Sequence, residues 1–422
     1  MHTSTLGFAN DVNGTRTWRT SAADDLAVGC VCILLCLLLN PFLALFFLAA
    51  LSAFARVPTT AFFVSVPLSF TLFFFFREYG VDWSAVASDD IPGYVWLYEQ
   101  NDLVSFSGIF SRFLEIPGSN EPLWQIPWWL VLHAFDASEK TFIFVHYLVV
   151  FLAIFVSFFV LSKRYFIAFS LVYFFITPLS IDSATYLWRQ QLAFSLFLIG
   201  CGFYMVKGKS FGKWLIYLSP LMHLSLIFFV VIFLAFELYK KYVGLDGTLK
   251  FLLIAILNLF AIAIVAPLAF SVLGYIGFDR LESYLEGSAD DQVGVFFSIS
   301  LYCALLILAH LKFRNDELNS FFAVVLLATF GIVLAFPSAT GVYLRFLIFA
   351  FPLFGLYFFR GYLINFSRNW FLPVIVFAFV SGTIRIYRPT LNDEGVARFL
   401  AYGHAFDPFM GTLKMFISFG IT

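Results

Sequence analysis

Charged side chains are scarce in this sequence: 51 of its 422 residues are Asp, Glu, Lys or Arg. A soluble globular chain carries about 25% of them, so a fully water-exposed surface is excluded. The charges nearly cancel, at a net −1 with pI about 6.6, which leaves no basic surface for nucleic acid. Cysteine is equally sparse. The five (Cys30, Cys32, Cys36, Cys201 and Cys303) are odd in number and all lie inside apolar runs, which argues against a disulfide framework or a zinc site. The sequence has no P-loop, no GxGxxG after a strand, no Cys/His metal set and no GxSxG. The pairs Asp89-Asp90 and Asp290-Asp291 are too weak a pattern for a metal site. No internal repeat, inverted or parallel, is evident, which disfavours a two-fold transporter.

What is present is apolar bulk: 61% of residues are hydrophobic and sixty are phenylalanine. This predicts an all-α polytopic transmembrane helix bundle of about 11–14 segments, some short or re-entrant, each full span needing about 20 apolar residues. Asp24-Asp25 stand where a cleavable signal would carry its basic residues, so the first apolar run reads as an anchor.

Threading by the positive-inside rule gives residues 1–25 as a cytoplasmic segment and 26–76 as the first three membrane helices, with a hairpin broken at Asn40-Pro41. Residues 77–140 form a long outer loop with a short tryptophan-rich interfacial helix at 122–135, and 141–270 the central helices. A second outer loop at 271–292, C-terminal membrane helices at 293–384 and an outer tail at 385–422 complete the chain. Lys213 and Lys240-Lys241 need the same side, so the 26 residues between them read as two short helices meeting near Pro220 to His223.

This threading sorts the cations unequally. The cytoplasmic side takes eight of ten lysines; the outer side takes eight of fifteen arginines, Arg77, Arg112, Arg189, Arg280, Arg345, Arg385, Arg388 and Arg398. Topology asks only for charge, whereas a planar guanidinium fork grips phosphate or carboxylate through two hydrogen bonds. Nineteen of the twenty-six acids also fall outside, so individually placed arginines are expected there, not a uniformly positive field.

Arg189 sits one turn inside the outer end of a hydrophobic helix, sharing a face with Leu192 and Ala193, where a charge costs about 2–3 kcal/mol unless paired or hydrated. Gln190 and Gln191 beside it favour a lined cavity over an arginine snorkelling to head groups. Tyr343-Leu-Arg345 repeats the arrangement, and Arg385 and Arg388 add positive charge at the last exit. Arg77 marks another helix exit, followed by Asp82, Asp89-Asp90 and Tyr94. A carboxylate there is a candidate general base toward a sugar hydroxyl, and any one of them also reads as a loop solubiliser. Glu121 precedes the tryptophan-rich helix, where it reads either as a helix-start charge or as an acceptor-binding acid beside sugar-stacking tryptophans. His223, at the break between half-helices, can donate to phosphate, take a proton or bridge two helices.

Taken together, Arg77-x-x-Gly80-x-Asp82, Tyr94, Glu121-Pro122, Arg189-x-x-Leu192-Ala193, His223-x-Ser225 and Arg345 resemble the EpsG-like branch of Wzy-type polysaccharide polymerases, over about residues 60 to 390. The resemblance implies a GT-C-like glycosyltransferase of the bacterial inner membrane. Such an enzyme joins undecaprenyl-diphosphate-linked glycans at the periplasmic face with inversion and usually without a metal or other cofactor. A chain-length-regulating co-polymerase is the protein partner it implies. Carried over by position, Arg77, Arg189 and Arg345 bind the diphosphate, His223 assists, and Asp82 or Glu121 faces the acceptor; Asp90, Tyr94, Gln190, Tyr343, Arg385 and Arg388 are accessory candidates. Family members commonly place the tyrosine within a few residues of the GxD aspartate, whereas Tyr94 follows Asp82 by twelve. The base therefore stays open between Asp82, Asp89 or Asp90, and Glu121.

A flippase or transporter of a lipid-linked glycan is the alternative, and would hold its anion near mid-bilayer. An O-acyltransferase would instead need a buried histidine open to a cytoplasmic acyl donor.

Overall fold

The computed structural model describes residues 27–31, 41–54, 58–78, 135–163, 165–175, 187–242, 292–313, 316–335 and 340–365, with positions 95, 123, 124, 126, 127 and 184. Among them regular structure is helical throughout, without a strand.

Helix α1 (Pro41–Phe54) starts at a proline, whose missing N–H costs nothing in a first turn. Helix α2 (Thr59–Glu78) is followed among the long described helices by α3 (Glu139–Leu161). Ser138 caps α3 by accepting from the Thr141 N–H at 3.3 Å, and Glu139 adds a favourable charge in the first turn. Next come α4 (Phe166–Phe175) and α5 (Trp188–Cys201), which widens into a π turn at Gly202–Val206. Helix α6 (Phe211–Met222) ends at His223, whose backbone is extended; a 3₁₀ turn at Leu224–Leu226 then leads into α7 (Ile227–Tyr242). The last three are α8 (Gln292–Lys312), α9 (Glu317–Ala335) and α10 (Thr340–Asn365). Helices α3 and α9 are long and apolar enough to cross a membrane, and α2, α8 and α10 contain shorter apolar stretches. The 23 residues of α3 make a rod of about 34 Å, against a hydrocarbon core of about 30 Å.

Helix α5 lies at the centre, with α3 on one side and α6 on the other. Helix α2 covers α3, α9 pairs with α10, and α4 reaches α1, α3 and α10. Two glycines allow α5 and α6 to close up. A Cβ on Gly212 would lie 2.6 Å from the Gly200 carbonyl oxygen, and one on Gly200 would lie 2.7 Å from Ile216. Small residues at a helix seam are how backbones approach when apolar burial alone does not distinguish protein from lipid.

Phenylalanine fills the other seams, largely in edge-on and offset pairs. Phe62 meets Phe155, Phe70 meets Phe151 and Phe74 meets Tyr147 at centroid distances of 5.4, 5.2 and 6.1 Å. This order makes α2 and α3 antiparallel and brings the end of α2 beside the start of α3. Tyr173 with Gln191, and Phe169 with Phe359, set α4 against both α5 and α10. Helices α5 and α10 therefore run parallel, with their N-termini at one end of the bundle.

Candidate functional site

The first turn of α5 carries Trp188, Arg189, Gln190 and Gln191. Its N-cap position is Leu187, which offers no side-chain acceptor, and the first turn holds no acid. A guanidinium thus stands in the first turn of the helix, at the positive end of its dipole. The Arg189 Cζ lies 5.5 Å from the centroid of the Trp124 ring, a cation–π contact worth about 0.5–2 kcal/mol depending on desolvation.

Behind the arginine is an aromatic wall. His146 stacks on Trp188 at 4.8 Å with 17° between planes, and Trp124 lies 5.6 Å from the same imidazole. Tyr147 meets Trp188 edge-on at 4.9 Å. Trp188, His146 and Trp124 are 0%, 0% and 2% exposed. The His146 Nδ1 lies 3.2 Å from the Phe142 carbonyl oxygen. Since a carbonyl only accepts, Nδ1 carries the proton and Nε2 keeps the lone pair in the neutral ring. Gln191 is fully engaged: its Oε1 accepts from the Tyr173 hydroxyl at 2.6 Å, and its Nε2 donates to Ser195 Oγ at 3.1 Å. Gln190 is 7% exposed, and among the described residues its Oε1 has no hydrogen-bond partner.

His223 sits at the break between α6 and α7 and is buried. Its Nδ1 accepts the Ser225 N–H at 3.3 Å, closing the 3₁₀ turn as a cap. The tautomer is therefore the reverse of His146: in His223 the proton is on Nε2, making the ring a donor. The imidazole lies 6.5 Å from Phe349 of α10, and Phe349 also meets Phe194 of α5 at 5.5 Å. Arg345 occupies the position one turn before Phe349, and Arg189 lies five residues before Phe194. With a rise of about 1.5 Å per residue, both arginine positions are about 6–8 Å along their helices from that contact, toward the same end. Arg77, in the last turn of α2, falls at this end too, beside the start of α3.

The backbone positions of Arg77, Arg189, His223 and Arg345 thus share one end of the bundle, and Tyr343 joins them in the first turns of α10. Asp82, Asp90, Tyr94, Glu121, Arg385 and Arg388 lie outside the described residues, as do Trp128, Trp129 and both adjacent-aspartate pairs. Among the described residues no three His, Cys, Asp or Glu side chains gather as a metal site requires.

Trp124, in the tryptophan-rich segment, is buried, its ring near both His146 and the Arg189 guanidinium. Two residues of the wall, His146 and Trp188, escaped the sequence reading. A histidine inside an apolar span was the available signal for the first.

The opposite end holds paired charges. Glu237 Oε2 accepts from the Tyr204 hydroxyl at 2.6 Å and from Lys213 at 2.8 Å. Lys240 meets Glu317 at 2.7 Å, and Arg360 grips both oxygens of Asp316 while also donating to Asn319. Burial raises the affinity of Asp316 for a proton, but the Arg360 hydrogen bonds and charge outweigh it and hold the carboxyl below its ordinary value.

Apolar helices packed around the arginine-bearing helix α5 define a helical membrane protein. No curated protein and no solved structure matches the chain. The family model of EpsG matches residues 61–402, and the chain belongs to the EpsG family. Membership makes it a polysaccharide-polymerase-like membrane protein.

Proposed function

We propose that this chain is a multi-pass polymerase of the bacterial inner membrane that joins undecaprenyl-diphosphate-linked oligosaccharide repeat units at the periplasmic face. Its product is O-antigen, capsule or exopolysaccharide, made with inversion at the anomeric carbon. The observation that carries this reading is Arg189, a guanidinium in the first turn of a central helix, backed by an aromatic wall. Family membership supports the polymer class of the product. The antiparallel pairs α2–α3 and α9–α10 support several membrane crossings. Clustering at one end favours an enzyme working on one face over a flippase with a mid-membrane site.

In the proposed reaction the acceptor hydroxyl oxygen attacks the anomeric carbon of the donor glycan. The bond from that carbon to the diphosphate oxygen breaks, and undecaprenyl diphosphate leaves with the electron pair. Arg189, with Arg77 and Arg345 at the same end, meets the charge growing on the leaving diphosphate, as preorganised donors do where water is excluded. His223 donates from Nε2 in this scheme, a role that follows from its Nδ1 being occupied as an acceptor. The acceptor proton passes to a carboxylate, Asp82, Asp90 or Glu121, since neither arginine nor an Nε2-protonated histidine takes it. The Gln190 amide oxygen is an acceptor of the kind a sugar hydroxyl satisfies. A chain-length-regulating co-polymerase would act on this assembly from outside the chain.

The test is direct. Purified protein in vesicles, supplied with a lipid-diphosphate repeat unit, is expected to give a ladder of products differing by one repeat. A wild-type protein that binds the substrate and yields no ladder overturns the reading.

A further inference from the structure

The segment between α2 and α3 in the sequence carries the acid candidates, and α5 carries Arg189. Among the described residues of that segment, Trp124 is the one fully buried in the bundle. Its ring lies 5.6 Å from the His146 imidazole of α3 and 5.5 Å from the Arg189 Cζ.

We propose that Trp124 is a positioning residue for Arg189: its ring fixes the guanidinium in the gripping orientation. The inference rests on the polymerase reading above. An arginine side chain has many rotamers, and a bidentate grip on a diphosphate uses one of them. A flat aromatic face beneath the guanidinium removes the alternatives while leaving its N–H edge directed at phosphate oxygens. A wrong rotamer there loses the alignment on which proximity effects depend.

The experiment compares Trp124→Phe, which keeps a π face, with Trp124→Leu, which keeps apolar bulk and loses it. Both are purified beside wild type, Arg189→Lys and the Trp124→Leu/Arg189→Lys double variant, in vesicles of phosphatidylethanolamine and phosphatidylglycerol. Ladder formation gives kcat/KM, and binding of undecaprenyl diphosphate is measured on the same preparations. Trp124→Phe is expected to retain about a third or more of kcat/KM and Trp124→Leu to lose about tenfold or more, at similar thermal stability. The double variant is expected to be no worse than Arg189→Lys alone, because both changes break one unit. Equal activity of the Phe and Leu variants, or losses that multiply in the double variant, overturns the proposal. If wild type binds undecaprenyl diphosphate and makes no ladder, the polymerase reading fails instead. The binding difference between the Phe and Leu variants then still decides whether Trp124 positions Arg189.

Discussion

The guanidinium of Arg189 and the ring of Trp124 lie 5.5 Å apart at the start of α5, a helix with no side-chain cap and no acid in its first turn. Like charge is thereby concentrated: a cation stands where the helix dipole is already positive.

His223 separates cap from donor. Asparagine at this position can still accept the Ser225 N–H, as N-cap side chains do, but lacks the imidazole Nε2. His223→Asn is expected to keep the thermal stability of wild type and lose about tenfold or more in ladder formation. His223→Ala is expected to lose stability as well, by about 1 kcal/mol. Full activity in the Asn variant would show that His223 serves only the turn.

Gly212→Ala is expected to destabilise the protein by about 1–3 kcal/mol. The new Cβ would lie 2.5 Å from the Tyr204 backbone nitrogen and 2.6 Å from the Gly200 carbonyl oxygen, both backbone atoms unable to move aside cheaply. Gly208→Ala is the comparison: φ there is +63° but nothing lies within 4 Å, so only backbone strain of about 1 kcal/mol applies. Thermal unfolding in detergent should show the larger Tm loss for Gly212→Ala, and equal losses would refute the close seam.

The Asp316–Arg360 pair predicts a signed pH effect. The folded-state carboxyl titrates below its ordinary value, so its contribution is present above the ordinary aspartate range and lost as pH falls through the folded value. Asp316→Asn keeps a capping side chain for α9 and removes the charge. The Tm advantage of wild type over Asp316→Asn should be present at about pH 6 and shrink toward about pH 3. A gap independent of pH would mean that the charge contributes nothing.

The helices were largely legible because apolar length is a local property. Sequence places one span at Thr141 to Leu161 and the helix runs Glu139–Leu161; the break expected near Pro220 to His223 lies at His223. That break was readable because lysines at both ends of a 26-residue stretch demand the same side. The widening of α5 into a π turn at Gly202–Val206 left no trace in a continuous apolar run. Partners far apart in the chain were hidden too. Arg360 meets Asp316 from 44 residues away, and His146 meets Trp188 from another helix. Tryptophan enrichment singled out the segment around Trp124, but it does not say which ring turns to protein. Arg189 was conspicuous because a charge in an apolar helix is costly; the ring that holds it was not.

The central claim is that the Arg189 fork grips a lipid diphosphate, and the most direct measurement is binding of undecaprenyl diphosphate to wild type and to Arg189→Lys in lipid nanodiscs. The lysine keeps the charge and loses the two-pronged geometry. The account predicts that Arg189→Lys binds about tenfold or more weakly, a loss of about 1.4 kcal/mol, with unchanged thermal stability. Equal affinity in the two proteins would contradict it and leave Arg189 as a membrane-interface anchor.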